Sequence, residues 1–256
     1  MQRITPFEQD EYYHVYSRGV ERRNIFRDDL DRSRFLLLMY LCNTSENIQF
    51  SKLSLEIRRE KERNKSKPSK DDFLKLYERP KKDQIVSVIA YCLMPNHFHI
   101  VLKENTEGGI SVFMQKLLTA YSMHFNKKYK RSGSLFVNPF KAKHIDTDNY
   151  FSYLVGYIHL NPVKIIDPTW KDKGLADLKK AKEFLLKYTH SSLNDYLSNF
   201  SKNRPEYLIL DKKSIPNYLT GAKEVEDFLD HWLTYSSDYK DDEFFDRSSN
   251  KQSGVN

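Results

Sequence analysis

The stretch QIVSVIAYCLMPNHFHIVLK, residues 84–103, predicts the centre of the fold. Its first half, 84–94, is almost continuously apolar, which is typical of a central strand that is buried on both faces. Pro95 and Asn96 then form a turn signal, after which residues 97–103 resume the apolar pattern. We therefore expect these two strands to pair antiparallel, with a tight turn between them.

The segments on either side of this hairpin alternate between strand and helix patterns. They are a strand over 12–20, a helix over 28–45, a helix over 111–130, a strand over 140–147, and a helix over 148–162 with Asp148 as its N-cap. The order β-α-β-β-α-β is that of the split β-α-β, ferredoxin-like arrangement, an antiparallel sheet with helices on one face. The sequence therefore predicts an α+β fold with one extra helix. Three further helix candidates follow at 174–189, 190–200 and 222–235.

Composition and charge favour some classes of function over others. The net charge of +7 and the pI near 9.1 favour an anionic partner, with nucleic acid the first candidate. The stretch 52–82 holds twelve Lys/Arg against six Asp/Glu, so a basic surface insertion explains the charge as well as a binding groove does. No apolar run approaches the roughly 20 residues of a membrane span, and the N-terminus lacks an apolar secretory core. We therefore expect a cytoplasmic protein with no membrane partner.

The two cysteines, Cys42 and Cys92, argue against two kinds of site. Two are too few for a disulfide framework, and they do not supply a cysteine-based zinc site. Both lie in apolar surroundings, so we expect them in the core.

Two histidines, His97 and His99, open the second strand of the hairpin and flank Phe98. Side chains alternate between the faces of a strand, so both imidazoles project from one face, about 7 Å apart. That spacing suits two ligands of one divalent cation better than a nucleophile and its base, which need direct hydrogen-bond contact. A His-x-His triplet is short, however, and two polar residues on an open sheet face explain it equally well when it stands alone.

The helix over 148–162 offers a reactive group and a third ligand. Tyr157 and Asn161 are four residues apart and therefore share a face of the last helical turn. Tyr157 supplies a phenol and Asn161 supplies a hard oxygen. His159 lies two residues from Tyr157 and is expected to point elsewhere, so we do not count it as a ligand. The helix is also rich in aromatic residues, and an aromatic stripe is more often part of a core than of a catalytic site.

Taken together, these motifs resemble the single-tyrosine HUH transposases, in which two histidines flank a hydrophobic residue, and in particular their REP-associated tyrosine transposase branch. Four blocks within residues 12–165 carry the resemblance: YYHVYSRGVERRNIFRDDLDRSRFL, AYCLMPNHFHIVLK, SGSLF followed by FKAKHIDTDNYF, and YLVGYIHLNPVK. The histidine triplet alone is a weak signal, whereas its combination with the other blocks in this order and spacing is highly specific.

The resemblance implies a metal-dependent enzyme that acts on DNA. His97 and His99 match the two histidines that bind Mg²⁺ or Mn²⁺ in the family. Tyr157 matches the nucleophile, and Asn161 matches the polar side chain that completes the metal site. The implied reaction cleaves single-stranded DNA beside a hairpin through a 5′-phosphotyrosine intermediate. The free 3′-OH can then attack that link and rejoin strands.

The resemblance also implies a domain organisation. Residues 1–168 would form the HUH tyrosine transposase domain with the basic insertion 52–82, followed by a helical C-terminal appendage over 169–245 and a disordered tail over 246–256. Small family members exchange their tyrosine helices within a dimer, whereas the longer REP-associated type is more often monomeric. The appendage therefore favours a monomer in which the tyrosine acts in cis.

Five basic residues are candidates for binding DNA phosphates. They are Arg18, Arg22 and Arg23 after the first strand, Lys103 at the end of the histidine strand, and Lys141 at the start of the fourth strand. Solvated surface charge is the competing explanation for each of them. Val137 and Pro139 stand where family members often carry Gln and Arg, a departure that affects an expected DNA contact rather than the chemistry.

Two other functions stay open. An inactive or domesticated descendant would only bind hairpin DNA, although the presence of both histidines, the tyrosine and the asparagine disfavours this. A relaxase or replication initiator would share the HUH chemistry. Such enzymes tend to carry a third histidine near the pair or a second tyrosine beside the nucleophile, whereas here the residue four after Tyr157 is Asn161.

Overall fold

The computed structural model describes residues 6–46, 75–79, 83–197 and 204–215, together with the single residues 59, 227, 230 and 233. Most of the basic stretch 52–82 lies outside these residues, as do most of the helix predicted over 222–235 and the whole tail 246–256. No helix in the described ranges is both long enough and apolar enough to cross a bilayer.

In this part of the chain, four antiparallel strands form one sheet in the order β2–β3–β1–β4. The strands are β1 Tyr12–Arg18, β2 Val86–Met94, β3 His97–Glu104 and β4 Lys141–Ile145. β2 and β3 make the predicted hairpin, and β3 lies between β1 and β2, which therefore run parallel to each other. This is the split β-α-β arrangement, so the predicted α+β, ferredoxin-like sheet is confirmed.

The described helices follow the predicted order. They are α1 Asp29–Leu41, α2 Gly109–Lys128, α3 Asp148–Leu160, α4 Val163–Ile166, α5 Trp170–Lys173, α6 Leu178–Lys187 and α7 Leu193–Leu197. Short 3-10 turns lie at Val20–Arg22, Lys75–Glu78, Pro205–Ile209 and Lys212–Ser214. The strand predicted over 12–20 is shorter than expected because the 3-10 turn at Val20–Arg22 follows it.

The predicted N-cap of the tyrosine-bearing helix α3 is wrong by one residue. Thr147, with extended backbone angles, is the N-cap, and its side chain accepts a hydrogen bond from the backbone N–H of Tyr150. Asp148 is instead the first residue of the helix. There a carboxylate interacts favourably with the positive end of the helix dipole without capping it.

Helices cover both faces of the sheet. On one face, Phe98 of β3 packs against Phe35 of α1, with ring centroids 5.2 Å apart. On the other face, His99 of β3 meets Tyr157 of α3, with ring centroids 5.5 Å apart. The alternation of strand side chains therefore places the apolar core under α1 and α2 and the paired histidines under α3.

Segments of the predicted appendage lie along the outer edge of β2. The backbone N–H of Leu93 donates to the carbonyl of His190, and the N–H of Ser192 donates to the carbonyl of Tyr91, both at 3.0 Å. The N–H of Asp211 donates to the carbonyl of Val88 at 2.9 Å. These hydrogen bonds cover an edge that would otherwise present unpaired backbone groups to a second chain.

Candidate functional site

The two histidines project from one face of β3, as the strand pattern predicts. The rings of His97 and His99 lie with their centroids 5.0 Å apart and their planes at 86°. His99 is fully buried, whereas His97 is partly exposed. Phe98, between them, points to the opposite face. The sheet therefore offers two imidazoles to whatever lies between it and α3.

The end of α3 brings the phenol and the amide to these histidines. The ring of Tyr157 meets the ring of His99 edge to face, at 5.5 Å and 83°. Asn161 is the C-cap residue of α3 and keeps helical backbone angles, so its side chain continues the row that Tyr157 begins. Its Nδ2 lies 3.5 Å from Nε2 of His99. The structure thus brings all four predicted catalytic and metal-ligating residues together.

A divalent cation fits the side chains at this point. The Oδ1 atom of Asn161 is buried and makes no hydrogen bond of normal geometry to the described residues, although the Asn161 side chain is close enough to His97 to oppose the lowering of its pKa. A buried carbonyl oxygen without a donor costs about 1–3 kcal/mol, and a cation would satisfy it. No three His, Cys, Asp or Glu side chains of the described ranges converge on a metal-sized site. The available donor set is therefore two imidazole nitrogens and one amide oxygen, from His97, His99 and Asn161.

Asn96, in the turn that joins β2 and β3, orients His97. Its Oδ1 lies 2.6 Å from Nδ1 of His97. A carboxamide oxygen only accepts hydrogen bonds, so His97 carries its proton on Nδ1 and leaves Nε2 with a lone pair. Burial, with the positive charges of Lys164 and Arg18, lowers the pKa of His97 to about 4. His97 is therefore neutral at physiological pH and is able to bind a metal.

A third histidine, His14 on β1, contacts the Nδ1 atom of His99, whereas Asn161 lies near the Nε2 atom. Its Nε2 lies 2.9 Å from Nδ1 of His99, and the two rings stack with centroids 5.1 Å apart and planes at 18°. Burial and the nearby charge of Lys143 lower the pKa of His14 to about 3, so this ring is neutral as well. Sequence reasoning missed His14. The alternation of His14 and Tyr16 along the first strand was the available signal, but it does not reveal which partner strand those side chains meet.

Two of the five predicted DNA-binding residues lie beside the site. Arg18 is directly opposite His97 in the pairing of β1 with β3. Lys141 is directly opposite Tyr16, which is in turn opposite His99, so the three residues share one row on the same face. Lys164 on α4, which the sequence reading did not single out, also lies near enough to influence His97.

The other three predicted DNA-binding residues lie elsewhere or have partners within the protein. Lys103 is at the far end of β3, about 20 Å from His97 at the usual strand rise, and forms an ion pair with Asp10 at 2.7 Å. The guanidinium of Arg23 donates to the carbonyl of Val20 at 2.9 Å and to the carboxylate of Glu21 at 2.5 Å. Arg22 is exposed in the turn after β1, and its backbone carbonyl accepts a hydrogen bond from Nδ2 of Asn96 at 3.5 Å.

Comparison with known proteins agrees with the motifs. The family model described as "Transposase IS200 like" matches residues 56–161, a range that includes both histidines, the tyrosine and the asparagine. A search of curated proteins gives no match. Among solved structures, a REP-associated tyrosine transposase bound to a REP hairpin is similar, with 11% identity and a TM-score of 0.40 over 86% of this chain and 96% of that chain. Over residues 56–161, the chain is therefore similar to the IS200-like transposases.

Proposed function

We propose that this protein is a single-tyrosine transposase that cleaves and rejoins single-stranded DNA beside a hairpin, with Tyr157 as the nucleophile and a bound Mg²⁺ or Mn²⁺ ion. The observation that carries the proposal is the convergence of three side chains from two elements, β3 and α3, that are distant in the chain. The phenol ring of Tyr157 contacts His99, and the Nδ2 of Asn161 lies 3.5 Å from the same histidine. A purely structural aromatic stripe gives no reason for a buried amide oxygen without a donor at this point.

Tyr157 performs the covalent step of the proposed reaction. The Tyr157 hydroxyl attacks phosphorus, the new Oη–P bond forms, and the bond from phosphorus to the 3′-oxygen of the preceding nucleotide breaks. A phenol has a pKa of about 10 in water, so the hydroxyl is still protonated when it attacks and its proton then passes to solvent. The departing 3′-oxygen takes up a proton. The covalent link retains the energy of the broken bond, so the 3′-OH can reverse the step without ATP.

His97, His99 and Asn161 would hold the cation. When bound, the cation offsets the negative charge that grows on the non-bridging phosphate oxygens. The neutral imidazole of His97 is preorganised for this task, since Asn96 fixes its proton on Nδ1. Arg18, opposite His97 on β1, and Lys141, in the row of His99 on β4, are the residues that we propose to position the DNA backbone at the site.

We further propose that the protein works as a monomer with its tyrosine in cis. Tyr157 and His99 of the same chain are already in contact, and the backbone of His190, Ser192 and Asp211 covers the outer edge of β2. The proposed transposase domain over 1–168 and the proposed appendage over 169–245 would then act together, with the appendage holding the sheet edge and the tyrosine helix in place.

The test uses hairpin DNA with randomised single-stranded flanks, labelled at its 3′ end, and Mn²⁺. The 3′ label follows the fragment whose 5′ phosphate joins the tyrosine, so the wild type is expected to give a labelled covalent adduct on a denaturing gel. Tyr157→Phe is expected to give none. The control is Tyr153→Phe, one turn earlier on the same helix, with its ring 6.2 Å from that of Tyr157. An adduct in Tyr157→Phe, or an adduct carrying only a 5′ label, overturns the assignment.

A further inference from the structure

The contact between His14 and His99 joins two strands that are distant in the chain. β1 and β3 pair so that Tyr16 is opposite His99 and His14 is opposite Val101. His14 is therefore the diagonal neighbour of His99 on the same face, a position from which an aromatic side chain can reach across. The reach ends in a hydrogen bond of 2.9 Å between Nε2 of His14 and Nδ1 of His99. His14 itself is only 5% exposed.

This hydrogen bond constrains which ring nitrogen of His99 carries its proton. In such a contact a single hydrogen lies between the two nitrogens, so one ring donates its N–H and the other accepts through a lone pair. If His99 donates through Nδ1, its Nε2 keeps a lone pair, and that atom is the one that faces Asn161. If His14 donates instead, the proton of His99 sits on Nε2 and blocks the lone pair that a cation needs.

We propose that His14 is a positioning residue that accepts the Nδ1 proton of His99 and so keeps the Nε2 lone pair of His99 directed at the cation site. The inference rests on the proposed function in one respect, namely that His99 binds a cation. His14 is not a further ligand, because its Nε2 is occupied by His99. The three histidines also do not form a metal-sized cluster within the described residues. Hydrogen-bonded partners of this kind typically alter metal affinity 10- to 100-fold.

Two substitutions separate positioning from packing. His14→Phe keeps an aromatic ring of similar size in the core but removes the acceptor. His14→Gln supplies a side-chain oxygen near the position of the original Nε2, so it can still accept from His99. Mn²⁺ alone is the probe, titrated into DNA-free protein and followed by electron paramagnetic resonance. We expect His14→Phe to weaken Mn²⁺ binding about 10- to 100-fold and His14→Gln to restore most of the affinity.

A second readout does not depend on metal or on activity. In ¹⁵N-histidine spectra of the metal-free protein at pH 7.5, with His99 assigned by its loss in His99→Asn, we expect the wild type and His14→Gln to show the Nδ1–H tautomer. We expect His14→Phe to shift His99 towards Nε2–H. A wild-type His99 protonated on Nε2, or a wild type that fails to bind Mn²⁺, overturns the proposal even if His14→Phe does not fold.

The proposed reaction is judged separately. A missing tyrosine adduct in the hairpin assay refutes the role of Tyr157 but leaves the tautomer and the Mn²⁺ affinity of His99 unaffected. Conversely, equal Mn²⁺ affinities and equal tautomers in the wild type and in His14→Phe refute the positioning role while a normal adduct upholds the reaction.

Discussion

Nε2 of His159 lies 2.8 Å from Oγ of Ser192, and this contact ties the tyrosine-bearing helix to the segment that covers the edge of the sheet. Both residues are buried. The same hydroxyl oxygen accepts a hydrogen bond from the backbone N–H of Tyr91 on β2 at 2.9 Å. Ser192 therefore connects α3 to β2. Because His159 is only two residues from Tyr157, the connection acts close to the proposed nucleophile.

We expect Ser192→Ala to destabilise the protein and to slow adduct formation. The substitution leaves the buried Nε2 of His159 and the buried N–H of Tyr91 without their partner, which costs about 1–3 kcal/mol for each unsatisfied group. Urea unfolding measures the stability, and single-turnover adduct formation measures the effect on the site. The control is Ser122→Ala on α2, where a change within about 0.5 kcal/mol is expected. Equal stability of the two variants would contradict the connecting role of Ser192.

The stability of the fold should decrease in mild acid because His159 is buried as a neutral ring. Burial lowers the pKa of His159 to about 3, whereas a histidine in the unfolded chain has its ordinary value of 6.5. Between these values the unfolded state binds more protons, so the free energy of unfolding rises with pH and falls as pH is lowered from 6.5 towards 3. For one such histidine, the loss between pH 7.5 and pH 5 is about 2 kcal/mol.

The contribution of His159 is measured with His159→Gln, whose amide can still reach the hydroxyl of Ser192. Urea unfolding at pH 7.5 and pH 5 should show a drop that is smaller by about 2 kcal/mol in the variant than in the wild type. His14 carries a similarly lowered pKa, about 3, so the variant keeps part of the pH dependence. An identical drop in both proteins would mean that His159 is not the buried neutral group described.

Asn161→Leu should separate stability from metal binding. Leucine has a similar volume, and it removes an amide oxygen that is buried without a donor, so the metal-free protein should lose little stability. Mn²⁺ affinity and adduct formation should both fall, because the third ligand, the amide oxygen, is gone. Thermal unfolding with and without Mn²⁺ checks both statements, since a ligand that binds the folded state raises the free energy of unfolding by RT ln(1 + [L]/Kd). A Mn²⁺-dependent stabilisation equal to that of the wild type would exclude Asn161 as a ligand.

Substitutions of Lys141 and Lys103 compare a lysine near the proposed site with a lysine far from it, and so test where the DNA backbone binds. Lys141 lies in the row of His99, whereas Lys103 lies at the far end of β3 in an ion pair with Asp10. In a Tyr157→Phe background, which prevents cleavage, Lys141→Ala should weaken binding of single-stranded DNA and reduce the slope of log K against log salt by about 0.7. Lys103→Ala should leave both quantities unchanged. Equal losses in the two variants would indicate non-specific attraction by the net charge.

Local sequence patterns were sufficient to predict most of the strands and helices. They also predicted which of the candidate site residues share a face of one element. The apolar run and the Pro95–Asn96 turn predicted the β2–β3 hairpin, because a strand buried on both faces needs apolar residues at every position. The alternation of a strand placed His97 and His99 on one face, and the helical repeat placed Tyr157 and Asn161 on one face. The two inferences about shared faces depend on residues no more than four positions apart, and the hairpin depends on one continuous stretch of the chain.

The sequence by itself therefore determined the elements and which side chains share a face, while the tertiary structure decided which faces meet. The partnership of His14 with His99 spans 85 positions, and that of His159 with Ser192 spans 33. Neither follows from a local period, because both depend on how separate elements pair and pack against one another. The same reason explains why Lys103 and Lys141 looked alike in the sequence, although strand pairing places Lys141, and not Lys103, in the row of His99.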